Sequence, residues 1–147
     1  MKLLLLALFV LFVTTLSNAQ SDSKRSKIEN AIRDVINRQV DDWNKGDIEG
    51  FMEGYWKSPD LRFVSGNTVS KGWQAAYDRY KKGYDTREKM GTLSFSELEI
   101  TVLNKKSAFV TGRFTLVRKK DTPTGLFTLV FRKLDGGWKV VHDHTST

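Results

Sequence analysis

The stretch 135-DGGWKVVHDHTS-146 carries the chain's two histidines, His142 and His144, directly after the apolar pair Val140-Val141. Asp135-Gly136-Gly137 is a turn signal, and the residues after it suit an extended strand. On a regular strand, residues two apart share a face. Trp138, Val140, His142 and His144 are therefore expected on one side, with Lys139, Val141, Asp143 and Thr145 on the other. One extra residue in the strand would exchange the two sets beyond it.

Upstream lie three more strand candidates, 92–103, 107–118 and 125–134, separated by Asn104-Lys105-Lys106 and Asp121-Thr122-Pro123-Thr124. With the final strand, 137–145, they form a meander of long antiparallel strands. Before them the pattern is helical. Ser26-Lys27-Ile28-Glu29 has the form of a capping box. Ile28, Ala31, Ile32, Val35, Ile36, Val40 and Trp43 then recur at three- and four-residue steps. Asn44-Lys45-Gly46 ends this helix, because Gly46 can take the left-handed conformation.

Asp47 caps a shorter second helix with Ile48, Phe51, Met52 and Tyr55 along one side, and Pro59 stops it. The segment 61-LRFVSGNTVS-70 reads as two short strands about a Gly66-Asn67 turn. A third helix places Trp73, Ala76, Tyr77, Tyr80 and Tyr84 on one face. Phenols suit a boundary between apolar and polar surroundings, so this helix is expected to border a cavity. Helices segregated from an antiparallel sheet make an α+β fold. A long sheet must curve. Three N-terminal helices on its concave side would then enclose a cone-shaped pocket.

Residues 1–19 stand apart. Lys2 precedes the apolar run Leu3 to Val13, and Ser17-Asn18-Ala19 supplies small residues before Gln20. This reads as a secretory signal peptide. The apolar run is too short to span a bilayer, which takes about 20 residues. The expectation is an exported protein, periplasmic or extracellular, with one domain over 20–147 and no membrane attachment after cleavage.

The chain has no cysteine, which rules out disulfides, thiol catalysis and thiolate metal sites. Its formal charge is +7. The basic residues are scattered singly and in short pairs, with no basic helix and no nucleic-acid motif, so no nucleic-acid partner is expected.

The element order resembles that of the nuclear transport factor 2-like superfamily over nearly all of 20–147. The resemblance is strongest at 42-DWNKGDIEGFMEGYW-56, similar to the superfamily's helix-to-helix turn, and at 135-DGGWKVVHDHTS-146. The latter is similar to the last strand of the SnoaL-like branch and of the calcium/calmodulin-dependent protein kinase II association domain. The resemblance implies the cone-shaped, cystatin-like fold and a pocket. It also implies homodimerisation through the sheet. It fixes no activity, because one fold hosts many functions.

Ketosteroid isomerases of the superfamily carry a general-base carboxylate on the first short strand. The matching position here is Ser65, and Leu61 to Ser70 holds no Asp or Glu. Of the arginines in the association-domain cavity, only Arg113 has a match; the other two positions fall on Leu129 and Thr145.

Several readings of the histidines stay open. A zinc site would need a third ligand such as Glu97 or Glu99, and none is expected. His142 or His144 could serve a dehydratase, isomerase or hydrolase as general base. Alternatively both are structural, in the cavity wall or a dimer interface. Arg113 has its own structural alternative, a surface salt bridge to Glu97 or Glu99. The leading expectation is an exported small-molecule-binding domain without cofactor. Its ligand is partly apolar, with an anionic ligand as an open variant. Trp73, Tyr77, Tyr80, Arg113, His142 and His144 are its candidate binding residues. An assembly module is the third alternative.

Overall fold

The computed structural model describes the backbone of Lys2–Ser146 and the side chains of residues 22–146. Helix α1 runs Lys2–Lys45. It continues through Ser26, where the capping box predicted a start, so Ser26 lies within the helix and is exposed. Residues 1–19, on which the export expectation rests, have side chains outside the described set. No described helix is long and apolar enough to cross a membrane.

From Ala31 onward the predicted stripe is realised: Ile32, Val35, Ile36 and Trp43 are buried. Gly46 ends α1 at φ 88°. Helix α2 (Ile48–Glu53) starts at Asp47, whose carboxylate accepts a 2.8 Å hydrogen bond from the Gly50 amide. Strands β1 (Arg62–Ser65) and β2 (Thr68–Lys71) form the short hairpin. Helix α3 (Trp73–Gly83) follows. A further short helix, α4 (Arg87–Met90), was not legible as such; Thr86 caps it.

Four long strands complete the chain: β3 (Thr92–Asn104), β4 (Ser107–Val117), β5 (Thr124–Leu134) and β6 (Gly137–Ser146). The sheet order is β2-β1-β6-β5-β4-β3. Every neighbouring pair is antiparallel except β1 with β6, which is parallel. The fold is thus α+β, a curved six-stranded sheet with N-terminal helices enclosing a cavity.

The core lies between the concave face and the helices. Phe131 and Val140 are fully buried on the sheet side, Ile32 and Met52 on the helix side. Gly112 on β4 makes room for the Phe127 ring: a Cβ there would lie 2.6 Å from Phe127 Cζ. The helices are tied to the sheet by polar contacts as well. Asn44 both donates to the Leu93 carbonyl and accepts from the Leu93 amide, and the Trp43 indole donates to Met90 O. Gly54 O accepts from the Val140 amide, and Val140 O accepts from Trp56, which fastens the end of α2 to β6.

One irregularity decides the site. In the β5–β6 ladder Phe131 pairs with Val140, but Val130 pairs with His142. Val141 is the extra residue of a bulge. Before it, Trp138 and Val140 face inward as expected. Beyond it the faces are exchanged, so Asp143 and Thr145 turn inward. His142 is half-buried and His144 exposed on the outer side. The expectation that the histidines share a face with Trp138 and Val140 is therefore corrected.

Candidate functional site

The cavity between the sheet and the helices has a volume of about 360 Å³. Its wall is mostly aromatic and aliphatic. Helices α1 and α2 give Trp43 and Phe51, α3 gives Tyr80 with Tyr84 just after it, and the strands give Phe63, Phe95, Phe114, Phe127 and Leu129. Most of the rings meet edge-on or tilted, and Tyr80 stacks on Tyr84. Trp43 meets Phe51 at 5.1 Å and Tyr84 at 4.7 Å between centroids, and Tyr80 meets Phe51 at 5.2 Å and Phe63 at 5.4 Å. Such packing makes a rigid wall whose shape is set before any ligand arrives.

A small polar cluster interrupts this wall. Tyr55, at the end of α2, donates its hydroxyl to Asp143 Oδ2 at 2.7 Å. Thr145, two residues along β6, donates to Asp143 Oδ1 at 2.8 Å. Each carboxylate oxygen thus takes one hydrogen bond from the protein. Burial pushes the Asp143 carboxyl up from its ordinary 3.8 to about 6, against the lowering effect of the two hydroxyls. Tyr55 is pushed well above its ordinary 10, first by burial and then by the Asp143 charge. Tyr80 shifts the same way for the same two reasons. Near neutral pH the cluster therefore offers a carboxylate poised to accept a proton beside two neutral phenols. Gln39 and Ser65 also reach the cavity. Gln39 is committed to structure, donating to the Phe51 carbonyl at 3.1 Å.

Two arginines line the same cavity, Arg79 from α3 and Arg118 just after β4. Arg79 stands over the Phe63 ring at 5.4 Å and Arg118 over the Tyr84 ring at 5.8 Å.

Of the six binding residues expected from sequence, Tyr80 lines this cavity. Trp73 and Tyr77 stack on one another at 5.0 Å away from it, and the Trp73 indole donates to Met52 O. Arg113 pairs with Glu97 at 2.9 Å, with side chains 36% and 61% exposed. This is the surface salt bridge weighed as its alternative role. Leu129 and Thr145, the positions matching arginines in the kinase association domain, do line the cavity, as does Ser65. His142 and His144 lie on the other face of β6. No three His, Asp or Glu side chains are gathered in metal-binding fashion among the described residues.

Asp143, Thr145, Arg79 and Arg118 were not singled out from sequence. For the first two the missing signal was the bulge at Val141. For the arginines it was their isolation from one another along the chain. Tyr55 was legible as an inward helix residue, but its partner was not.

Comparison with known proteins agrees with this architecture. The model of the SnoaL-like domain family matches residues 32–147. An NTF2-like protein of unknown function from Shewanella oneidensis MR-1 is 38% identical. It covers 81% of this chain and 98% of its own, with a TM-score of 0.78. An NTF2-like protein with a cystatin-like fold from Novosphingobium aromaticivorans is 16% identical, covering 89% and 88%, with a TM-score of 0.70. An NTF2-like superfamily protein from Salmonella enterica serovar Typhimurium LT2 is 23% identical, covering 86% and 92%, with a TM-score of 0.63. No curated protein matches the chain.

Proposed function

The chain belongs to the SnoaL-like domain family, and from that premise we propose that it binds a small, largely apolar molecule in the cavity between sheet and helices. The observation that carries this reading is the cavity itself: about 360 Å³ walled by aromatic rings, with the Tyr55–Asp143–Thr145 cluster as its fixed polar feature. A largely apolar hollow with few, well-held polar groups is the usual form of a ligand site. Trp43 lines it at 2% exposure, so its fluorescence reports on occupancy. Titration with 2-naphthol should change that fluorescence saturably. Leu129→Trp, which fills the hollow, should abolish the saturable response while the protein stays folded. A Leu129→Trp protein that binds as well as the parent would sink this reading.

A second reading is favoured by the Asp143 carboxyl: an acid–base enzyme, a dehydratase, isomerase or hydrolase. In place of a histidine, the cavity-facing residue of β6 that accepts the proton is Asp143, raised to about 6. Tyr55 and Tyr80 are the neutral donors beside it. Such a base works best when its pKa lies near the working pH. Turnover of any substrate with a pH limb near 6, abolished in Asp143→Asn but kept in His142→Ala and His144→Ala, supports this reading. Turnover lost in either histidine variant counts against it.

The proposed protein is exported and pairs with a second copy through the outer face of its sheet. Export is supported by Lys2, the apolar run Leu3 to Val13 and Ser17-Asn18-Ala19. Pairing is supported by Leu126, exposed to 52% on that face. Exported protein should begin at Gln20 on N-terminal sequencing, and light scattering should give twice the chain mass.

A further inference from the structure

Among the described residues, two buried side-chain polar atoms lack a hydrogen-bond partner: Arg79 Nη1 and Arg118 Nε. They come from different elements, yet both arginines line the same cavity. Tyr80 on α3 and Tyr84 just after it belong to the same wall and stack at 5.8 Å. The nearest acid to Arg118, Asp121, lies 3.9 Å away from Nε and is itself 58% exposed, too far for a hydrogen bond. Arg79 forms no ion pair among the described residues. A buried N–H left without an acceptor is costly, more so on a charged group. Both arginines line one hollow, guanidinium groups suit a carboxylate, and an acceptor that arrives with the ligand would relieve these two donors.

The Asp143 cluster has the opposite character. A carboxylate has about four acceptor positions, and Tyr55 and Thr145 occupy one on each oxygen. What remains there accepts hydrogen bonds. A carboxylate ligand would be repelled at Asp143, whereas a hydroxyl can donate to it.

We propose that the ligand is a bipolar hydroxylated aromatic acid, its carboxylate held by Arg79 and Arg118, its ring against the aromatic wall and its hydroxyl donating to Asp143. This rests on the cavity being the binding site. The aromatic wall suits a flat ring, and the two polar poles favour molecules that carry both groups over those that carry only one. The arginines stacked on Phe63 and Tyr84 are already oriented, so little side-chain freedom is lost on binding.

The test uses the unmodified protein with Trp43 fluorescence or calorimetry. The probes are 4-hydroxybenzoate, 4-hydroxyphenylacetate and 3-(4-hydroxyphenyl)propionate, with 3-phenylpropionate and 4-propylphenol as single-group controls. The best hydroxy acid should bind at least tenfold more tightly than either control. Arg79→Gln and Arg118→Gln should each cost it about tenfold in affinity while leaving 4-propylphenol unchanged. If 4-propylphenol binds as tightly as every hydroxy acid, the carboxylate pole is refuted while the cavity stands as a binding site. If 3-phenylpropionate matches them, the hydroxyl pole is refuted. If no probe binds, the neutral phenol included, the cavity reading itself fails. Because the comparison of probes needs no variant, the test survives a misfolded glutamine mutant.

Discussion

The Tyr55 hydroxyl and the Asp143 carboxylate meet at 2.7 Å across 88 residues of sequence, joining the end of α2 to the last strand. The bond is buried, and it ties cavity chemistry to stability. Because burial raises the Asp143 carboxyl from 3.8 to about 6, the folded state favours its protonated form. Its contribution to stability is greatest below pH 3.8 and is lost as pH rises through about 6. Two units correspond to a cost of roughly 3 kcal/mol at neutral pH. Asp143→Asn removes that cost and keeps an oxygen for Tyr55. It should raise the Tm at pH 7.5 and give no advantage at pH 3.5. An equal shift at both pH values would show that the carboxyl is not held high.

Deleting Val141 should undo the bulge and return the strand to a regular alternation. Val130 would still pair with His142 and Leu129 with Asp143, now without an extra residue between Val140 and His142. Asp143 and Thr145 would stay in the cavity, and His142 and His144 outside it. The deletion protein should keep the 2-naphthol affinity of the parent. Lost affinity in a folded deletion protein would mean that the bulge itself shapes the site.

Phe131 is fully buried at the centre of the sheet. Phe131→Ala should cost about 3–5 kcal/mol in denaturant unfolding. Leu126→Ala, at an exposed position, should stay within about 0.5 kcal/mol. A similar loss at both would contradict the packing described for the two faces of β5.

Gly91 follows α4 at φ 62° and ψ −157°, a region open almost only to glycine. A Cβ there would also lie 2.5 Å from the Val117 carbonyl oxygen. Gly91→Ala should therefore destabilise by about 1–3 kcal/mol, and by circular dichroism its melt should fall below that of the parent.

Arg113 and Glu97 form a half-exposed pair on the outer face. Arg113→Ala should change stability by about 1 kcal/mol or less. It should leave the affinity for 3-(4-hydroxyphenyl)propionate unchanged, in contrast to Arg118→Gln. Loss of affinity on Arg113→Ala would bring that residue back into the site.

The elements were legible because their signals are local. Four strands fell between turn sequences such as Asn104-Lys105-Lys106 and Asp135-Gly136-Gly137, and their observed bounds differ from the expected ones by a residue or so. The inner stripe of α1 followed from its spacing. The site was less legible because its determinants are not local. A bulge is invisible in an alternating sequence, and Val140-Val141 reads equally well in either phase. The pairing of Tyr55 with Asp143 and the presence of Arg79 and Arg118 in one cavity wall depend on how distant elements come together. Trp73 and Tyr77 showed the limit of a helical face: α3 presents more than one side to the protein, and of its aromatic residues Tyr80, with Tyr84 just beyond the helix, reaches the hollow.

The parallel pairing of β1 with β6 has a kinetic side. β1 has only the four-residue β2 and the strand spanning Gly137–Ser146 as neighbours. During synthesis the first 136 residues can form helices and the β3–β5 meander, but they cannot seat β1 or give Tyr55 its partner. Contacts this distant in sequence are slow to form, because the loop between them must close first. The hollow therefore closes late, after translation has delivered β6. A nascent chain halted before Gly137 should remain sensitive to protease around residues 55–71, and release of β6 alone should protect that segment.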